Sequence, residues 1–526
     1  MACGCCCTKS QRKLDYEFAT STSCHGLGRI ADSSRKPQRI FWILVTLFCF
    51  GYMVSQIVDR FDHFMQMKQT TELEVMMDQT SLEFPAVTIC NYNKYRLSAM
   101  TESDAIILSN SALLMSYLQW GVPLDEEHVK FAQELEYNIT QLYPDGFDMG
   151  NLTRRVGWQM DDTTLLWCRI AGKQCTFEDF SLVQTSYGNC YTFNRYPREP
   201  NVYKQTVHGT GGGLRIVLDI NQSDYTEVFA FGGNSEAGIK FLVHPQYEPP
   251  SVESEGYAVS PGFRAYAGIR YDELQNAVSP WGKCDPEAKL KFYEKYSFEG
   301  CLSECREGKL LERCGCKPYS IPGNIPNCLP TKAVTCANEI LGAIEENPKE
   351  ECPQCTVACE EVEYPVSLSY ATFPNHNIAK ELFEIFDVTE DYIRDNIVEL
   401  DIYFRDLYRH LTKMSPAVTP SGLLSDLGGQ MGLFVGMSIL TLFEFLEFTL
   451  RRLYLGCFRR NAEDTSDVKD GDIEAENVTN REMEDKSKNS PKQEKQSNMH
   501  HRHFTGDSAS NDRTKEKDNV AYVSSF

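Results

Sequence analysis

The chain has 526 residues, 42% hydrophobic and 24% charged, with a formal charge of −22. That composition excludes a wholly disordered or fibrous protein, and the acidic balance argues against a nucleic-acid binder. Residues 61–425 hold 52 Asp and Glu against 30 Lys and Arg, so this stretch alone accounts for the −22 and the remainder balances.

Residues 1–39 are polar, with seven Lys or Arg and three Asp or Glu. A cluster at Cys3, Cys5, Cys6 and Cys7 suggests S-acylation near a membrane. Ile40–Val58 follows, 19 residues without a formal charge. That length spans a bilayer, and a globular core helix rarely stays apolar all round for so long. No small-residue cleavage site follows it, so it reads as a retained signal anchor, and the positive-inside bias puts residues 1–39 in the cytosol.

Between this span and Ser425 lie fourteen of the 21 cysteines and three sequons, at Asn138, Asn151 and Asn221. An even number in an oxidising compartment suits seven disulfides; a zinc site at Cys314 and Cys316 or Cys352 and Cys355 is the rival and ranks lower. Leu214–Ile220 and Val398–Phe404 alternate apolar and polar residues and predict half-buried strands. Ala379, Leu382, Phe383 and Phe386 follow helical spacing, and Lys289–Cys305 reads as helix with Cys301 and Cys305 on one face. Ten of the fourteen cysteines fall from Cys284 to Cys359, which predicts a stapled helical subdomain on a sheet scaffold. The glycine run at His208–Gly213 precedes a strand instead of opening a helix, so a nucleotide-binding loop fails its context. A zincin motif, a nucleophile elbow and a P-loop are all missing, and nothing points to an enzyme, a cofactor or a bound metal.

Leu427–Phe443 is again uncharged and continues through Glu444 and Glu447 to Leu450. Gly428, Gly429, Gly432 and Gly436 interrupt it, and Arg451, Arg452, Arg459 and Arg460 flank it. Both termini are therefore expected in the cytosol, with the cysteine-rich region outside. Intramembrane acids are costly unless they face water or protein. Glu444 is accordingly placed on an inner vestibule, and Glu447 there or at the interface. Asp426 at the outer mouth either concentrates cations or, with Ser425, caps the helix start. From Thr465 the chain reads as a disordered tail. Its His500, His501 and His503 are read as an accidental tract, its sequon Asn477 as unused, and its terminal Phe526 carboxylate as having no special role.

The arrangement and several motifs resemble the degenerin/epithelial sodium channel superfamily, nearest its acid-sensing and peptide-gated branch. His25-Gly26 precedes the first span, Phe84-Pro85-Ala86-Val87-Thr88-Ile89-Cys90-Asn91 follows it, and Glu236–Ile239, Pro261–Phe263 and Pro280-Trp281-Gly282 come in order. Leu427–Phe434 followed by Gly436-Met437-Ser438 resembles the pore helix with its Gly-x-Ser filter, although the common middle residue is small. The resemblance implies an α+β membrane protein with palm sheet, β-ball, finger, thumb and knuckle. It implies a homo- or heterotrimer in the plasma membrane that conducts mainly Na⁺ and takes an amiloride-type blocker. The implied domains are a cytosolic segment 1–39, a span 40–58, an extracellular domain 59–424, a pore span 425–451 and a cytosolic tail 452–526.

By the same resemblance, Cys90 pairs with Cys190, Cys168 with Cys175, Cys314 with Cys336 and Cys316 with Cys328. Cys284 pairs with Cys359, Cys301 with Cys355 and Cys305 with Cys352, across a Cys-x-x-Cys that is one residue wider than the family's. Gly436, Met437, Ser438, Asp426 and Glu444 line the ion path, and His25, Gly26, Trp281 and Ser425 act in gating. Acid-sensing members carry a His pair above the first span and an Asp-Glu pair before Glu-Ala-Gly-Ile. Here no His occurs between Phe64 and Glu127, and the second position reads Phe231-Gly232-Gly233-Asn234-Ser235. An extracellular peptide is therefore the expected stimulus, protons the alternative, and a two-span receptor without a pore the remote one.

Overall fold

The computed structural model describes residues 9–77, 80–119, 125–195, 203–226, 235–386 and 388–457. The Cys3–Cys7 cluster, Phe231–Asn234, Asn477, the tail histidines and the C-terminal residue lie outside them. Residues 1–452 form one compact unit; the other, 453–526, is described only to the end of the last helix at Cys457.

Two sheets make the centre of the region between the apolar helices. The larger runs Glu360–Glu363, Phe263–Gln275, Ile397–Pro416, Leu214–Asp219, Leu165–Ile170, Lys173–Gln174, with Gln69–Met76 added to the far half of Ile397–Pro416 and Val366–Thr372 to Phe263–Gln275. The smaller is Tyr257–Val259, Ile239–His244, Ala86–Asn91, Gly188–Phe193, Phe180–Thr185. Alternation explains the larger sheet. Leu214, Ile216 and Leu218 are fully buried, as are Val398, Leu400, Ile402 and Phe404. They pack against Phe84, Ile89, Phe193 and Phe241 of the other layer in one shared core.

Several charged and polar side chains are enclosed beside this core. Glu399 and Asp401, alternating on the other face of the same strand, meet Arg215 and Arg264. His244 is buried, with Nδ1 2.9 Å from the Pro245 carbonyl and Nε2 2.8 Å from Thr88 Oγ1. A carbonyl only accepts, so Nδ1 carries the proton and Nε2 accepts from Thr88. Burial pushes this imidazole down to about 4.

Helices Glu102–Gln119, Glu126–Leu142 and Met149–Val156 form a second cluster around Ile107, Leu135, Ile139 and Val156. Burial alone would raise the wholly enclosed Asp104 there, but bonds from Arg155, Thr101 and Tyr143 hold its carboxyl well below the usual range. Asn138, Asn151 and Asn221 are all exposed.

The disulfide-rich subdomain surrounds helix Phe298–Arg313. Cys301 and Cys305, one turn apart, reach Cys355 and Cys352. The remaining bonds are Cys284–Cys359, Cys314–Cys336, Cys316–Cys328, Cys168–Cys175 and Cys90–Cys190. These are the pairs that the resemblance implies, and they leave no thiolates for zinc at the two alternative positions. The helix expected from Lys289 begins only at Phe298. Ser297 caps it by accepting from Gly300 N–H at 3.1 Å, and the Glu304 carboxylate holds the preceding Phe292 N–H at 2.7 Å in an irregular turn.

Helix Lys36–Met65 contains the predicted first span and extends it at both ends. Of the described helices only this one is by itself long and apolar enough to cross a membrane, and almost none of its apolar stretch is buried inside the protein. Pro420–Val435 and Ile439–Tyr454 meet the same criterion together, bent by 70° at the break between them. Together these helices run from Pro420 to Cys457, longer at both ends than the expected 425–451.

Candidate functional site

The break falls at Gly436, Met437 and Ser438. Gly436 ends the first half-helix in the left-handed region, at φ 67°. Its N–H still donates to Gly432 O at 3.0 Å, and Met437 N–H to Met431 O at 3.1 Å. This is a helix ending by its usual glycine device, in the middle of what the sequence presents as one span. The second half-helix restarts at Ile439 with Ser438 in the cap position, and the hydroxyl of Thr441, its third residue, reaches back to accept from Ser438 N–H at 2.9 Å. Such a break withdraws main-chain groups from the helical ladder, which a membrane tolerates only against protein or water.

Here part of the protein is supplied from the other end of the chain. The turn Thr22–Gly26, between helices Lys9–Ser21 and Leu27–Asp32, lies against the break. His25 N–H donates to Val435 O at 2.7 Å, and the imidazole fills the place a Cβ on Gly436 would take. Gly26 has φ 95°, and a Cβ there would overlap the Thr46 hydroxyl on the first apolar helix. Cys24 is buried with Met53 and Val435, and Tyr52 meets Phe434 edge-on at 5.1 Å. Phe18 stacks on Phe448 at 4.2 Å, and Asp15 pairs with Arg452 at 3.2 Å.

Glu444, two turns beyond the break, accepts from Thr22 Oγ1 at 2.8 Å and Ser23 N–H at 3.1 Å. Its carboxylate is thus held by the N-terminal turn. Glu447 pairs with Arg451 at 2.6 Å on an exposed face. His25, Gly26, Gly436, Met437, Ser438 and Glu444 therefore come together. Asp426 stands apart, roughly 15 Å along the first half-helix by its rise per residue. A Cβ at Gly428 or Gly429 would meet nothing of this chain within 4 Å, so these glycines make no close approach inside it.

The cap suggested for Ser425 and Asp426 is corrected. The half-helix begins at Pro420, with Thr419 accepting from Gly422 N–H at 3.0 Å. Proline fits the first turn and threonine the cap, so the start lies upstream. Ser425 sits one turn inside, its hydroxyl on Ser421 O at 3.0 Å. The strand leading here also runs farther than its alternation suggested, to Pro416, which leaves only Ala417–Thr419 as the link. Trp281 is half-buried, and its carbonyl accepts from the Gln69 side chain. Gln69 pairs with Pro416, and Ala417 N–H donates to Lys68 O at 2.9 Å. The Trp281 loop and both apolar helices thus meet within a few residues.

Sequence reasoning did not anticipate the contact of His25 with Gly436, nor Ser23, Thr22 and Thr441. The signals were the hydroxyl run Thr20-Ser21-Thr22-Ser23 before His25 and a lone buried threonine in an apolar segment.

A second group of titratable side chains lies far from the break, where the turn after strand Ile239–His244 meets Phe298–Arg313 and Glu360–Glu363. Glu248 is pushed up to about 8, first by burial, then by the carboxylates of Glu361, Glu255 and Glu299; Lys295 opposes them. Burial and neighbouring carboxylates raise Glu255 and Glu361 as well. Lys295 is drawn to Glu360 at 3.7 Å and lies over Tyr247. Among the described residues no group of His, Cys, Asp or Glu is arranged to hold a metal ion.

Residues 18–448 match the family model described as the amiloride-sensitive sodium channel. The chain is 33% identical over 461 residues to the bile acid-sensitive ion channel of Homo sapiens, covering 85% of this chain and 88% of that one. It is 32% identical over 440 residues to acid-sensing ion channel 2 of Homo sapiens, covering 82% and 85%. It is 34% identical over 441 residues to acid-sensing ion channel 1 of Gallus gallus, covering 82% of each.

Proposed function

The chain belongs to the amiloride-sensitive sodium channel family, and from that premise we propose that it is a ligand-gated, Na⁺-selective channel of the plasma membrane. It works as a homo- or heterotrimer, with both termini cytosolic and residues 59–424 outside. The observation that carries this reading is the left-handed break at Gly436 with Ser438 beside it. A residue without a side chain lets three chains approach closely, and exposed carbonyls and hydroxyls can replace part of an ion's hydration shell. Glu444 and Asp426 supply negative charge on either side of the break. The sheets serve as the palm and β-ball, the Asp104 helices as the finger and the disulfide-rich helices as the thumb.

An extracellular peptide opens it. Support comes from the loss of both titratable pairs, while the coupling strand, the Trp281 contact and the break persist. A ligand opens the pore only by binding the open state more tightly than the closed one, and an acidic outer region favours a basic peptide. Proton gating is the second reading, favoured by the crowding of Glu248, Glu255, Glu299 and Glu361. Whole-cell recording from cells expressing this chain alone separates them, with acid steps, amidated peptides and, because relatives carry that name, bile acids applied to the same cells. Peptide-evoked Na⁺ current is expected. Acid-evoked current without any peptide response reverses the ranking, and current insensitive to every stimulus removes ligand gating.

A further inference from the structure

Thr441 is wholly buried, yet its one hydroxyl has three polar neighbours. It accepts from Ser438 N–H at 2.9 Å, lies 3.3 Å from Ser438 Oγ and lies 2.6 Å from Ser23 Oγ. Ser23 Oγ is in turn 3.4 Å from each carboxylate oxygen of Glu444. The four groups form a line: Ser438, Thr441, Ser23, Glu444.

The line has a direction. A carboxylate only accepts, so the Ser23 proton points to Glu444. With the opposite orientation, Ser23 would present its lone pairs to the carboxylate's. The Ser23 oxygen then accepts from Thr441 at the short 2.6 Å separation. Thr441 has given away its only proton, so it receives both the N–H and the O–H of Ser438. Ser438 thereby commits its proton inward and keeps both lone pairs of Oγ free.

We infer that Thr441 is the positioning residue of the filter. Its hydroxyl, oriented through Ser23 of the N-terminal turn and anchored on Glu444, fixes Ser438 as an acceptor for a passing cation. The inference rests on the reading of Ser438 as a filter residue, and it ties the orientation of that hydroxyl to Thr441 and, through it, to Ser23. Nothing here requires Thr441 or Ser23 to touch the ion.

The test is the Na⁺/K⁺ permeability ratio, read from bi-ionic reversal potentials in channels shown by biotinylation to be at the surface. Thr441→Val keeps the shape and removes the hydroxyl. It is expected to lower the ratio roughly three- to tenfold, the factor that one hydrogen bond supplies. Thr441→Ser restores the relay and should return the ratio towards that of the unaltered channel, which a packing role for the threonine methyl would not do. Ser23→Ala should produce a shift of the same sign, and adding it to Thr441→Val should produce no more. Because Ser23 lies on an exposed turn, Ser23→Ala keeps the test decisive if Thr441→Val fails to reach the surface. An unaltered ratio in either single variant overturns the relay. Ser438→Ala is the control that separates the two readings. If it shifts the ratio while Thr441→Val and Ser23→Ala do not, only the relay is wrong; if it leaves the ratio unaltered, the filter assignment falls with it.

Discussion

The imidazole of His25 occupies the space that a Cβ on Gly436 would need, so a turn near the N-terminus is packed against the break in the last apolar segment. Two independent constraints thus fall on one glycine. The left-handed backbone at φ 67° disfavours any side chain, and the His25 ring excludes one.

Gly436→Ala should therefore abolish or strongly reduce current in channels that still reach the surface. The left-handed conformation alone costs a side chain about 1–2 kcal/mol, and the collision adds to it. His25→Ala in the Gly436→Ala background relieves the collision but not the backbone, so partial recovery of current with an altered reversal potential is expected. Equal, complete loss in single and double variants would mean that the ring contact carries no functional weight.

Ser425 is exposed and one turn inside its half-helix, which begins at a Thr419 cap. Its replacement therefore leaves that cap intact, and bulk at this position acts on whatever packs beside the helix. Ser425→Cys modified at the surface by a bulky thiol reagent should carry a steady current in the absence of ligand, because a wedge between neighbouring helices favours the open state. Demonstrated modification without added current refutes the wedge.

Much of this was legible in the chain, for stated physical reasons. Val398, Leu400, Ile402 and Phe404 alternate because they form the apolar face of their strand, and the structure buries all four; the strand expected to be half-buried is in fact buried on both faces there, because Glu399 and Asp401 are enclosed with Arg215 and Arg264. The cysteine pairs were accessible only through family resemblance, since spacing alone leaves many connectivities open. The Lys289 helix was misjudged because composition does not reveal that Ser297 and Glu304 tie up the backbone locally. The last strand was underestimated beyond Phe404 because its residues there pair with Gln69–Met76 on an open face, where alternation fades. The packing of Thr22–His25 on the break was invisible because nothing in a local pattern records a contact between distant segments.

Gln69 links the Trp281 loop to the end of the long strand. Gln69→Ala removes the bond to the Trp281 carbonyl while leaving the Pro416 ladder partner in place. One net hydrogen bond is worth about 1 kcal/mol. If that bond transmits the ligand signal, the half-maximal ligand concentration should rise roughly fivefold, with surface expression and reversal potential unaltered. A concentration-response curve superimposable on that of the unaltered channel would exclude this route.

His244 makes the folded region sensitive to acid. Its pKa is about 4 when folded, against 6.5 for an unperturbed imidazole. Between these values the unfolded chain binds more protons, so stability falls as pH drops from about 6.5 towards about 4. The full effect is on the order of 3 kcal/mol. Purified channel should therefore melt at lower temperature at pH 5 than at pH 7. His244→Gln, which keeps a donor and an acceptor but does not titrate, should flatten that slope. An equally steep slope in the variant would assign the acid sensitivity to other groups.

Glu248 has the opposite sign. Its folded pKa of about 8 lies above the ordinary 4.5, so its contribution to stability is fully present below 4.5 and is lost as pH rises through 8. Near neutral pH the carboxyl is mostly protonated already, which relieves the crowding among Glu361, Glu255 and Glu299. An acid stimulus therefore has little left to titrate at Glu248; the groups still available are Glu255 and Glu361, which the same surroundings also raise. Two measurements follow. Glu248→Gln should remove a decline in stability between pH 7 and pH 9, read as a fall in melting temperature and at most about 1 kcal/mol once partial exposure is allowed for. The pair Glu255→Gln with Glu361→Gln should shrink or shift any acid-evoked current, because a proton can bias gating only where its affinity differs between closed and open states. An acid response with unaltered midpoint and amplitude in that double variant would exclude this cluster as the proton sensor, and with it the observation that favours acid over peptide.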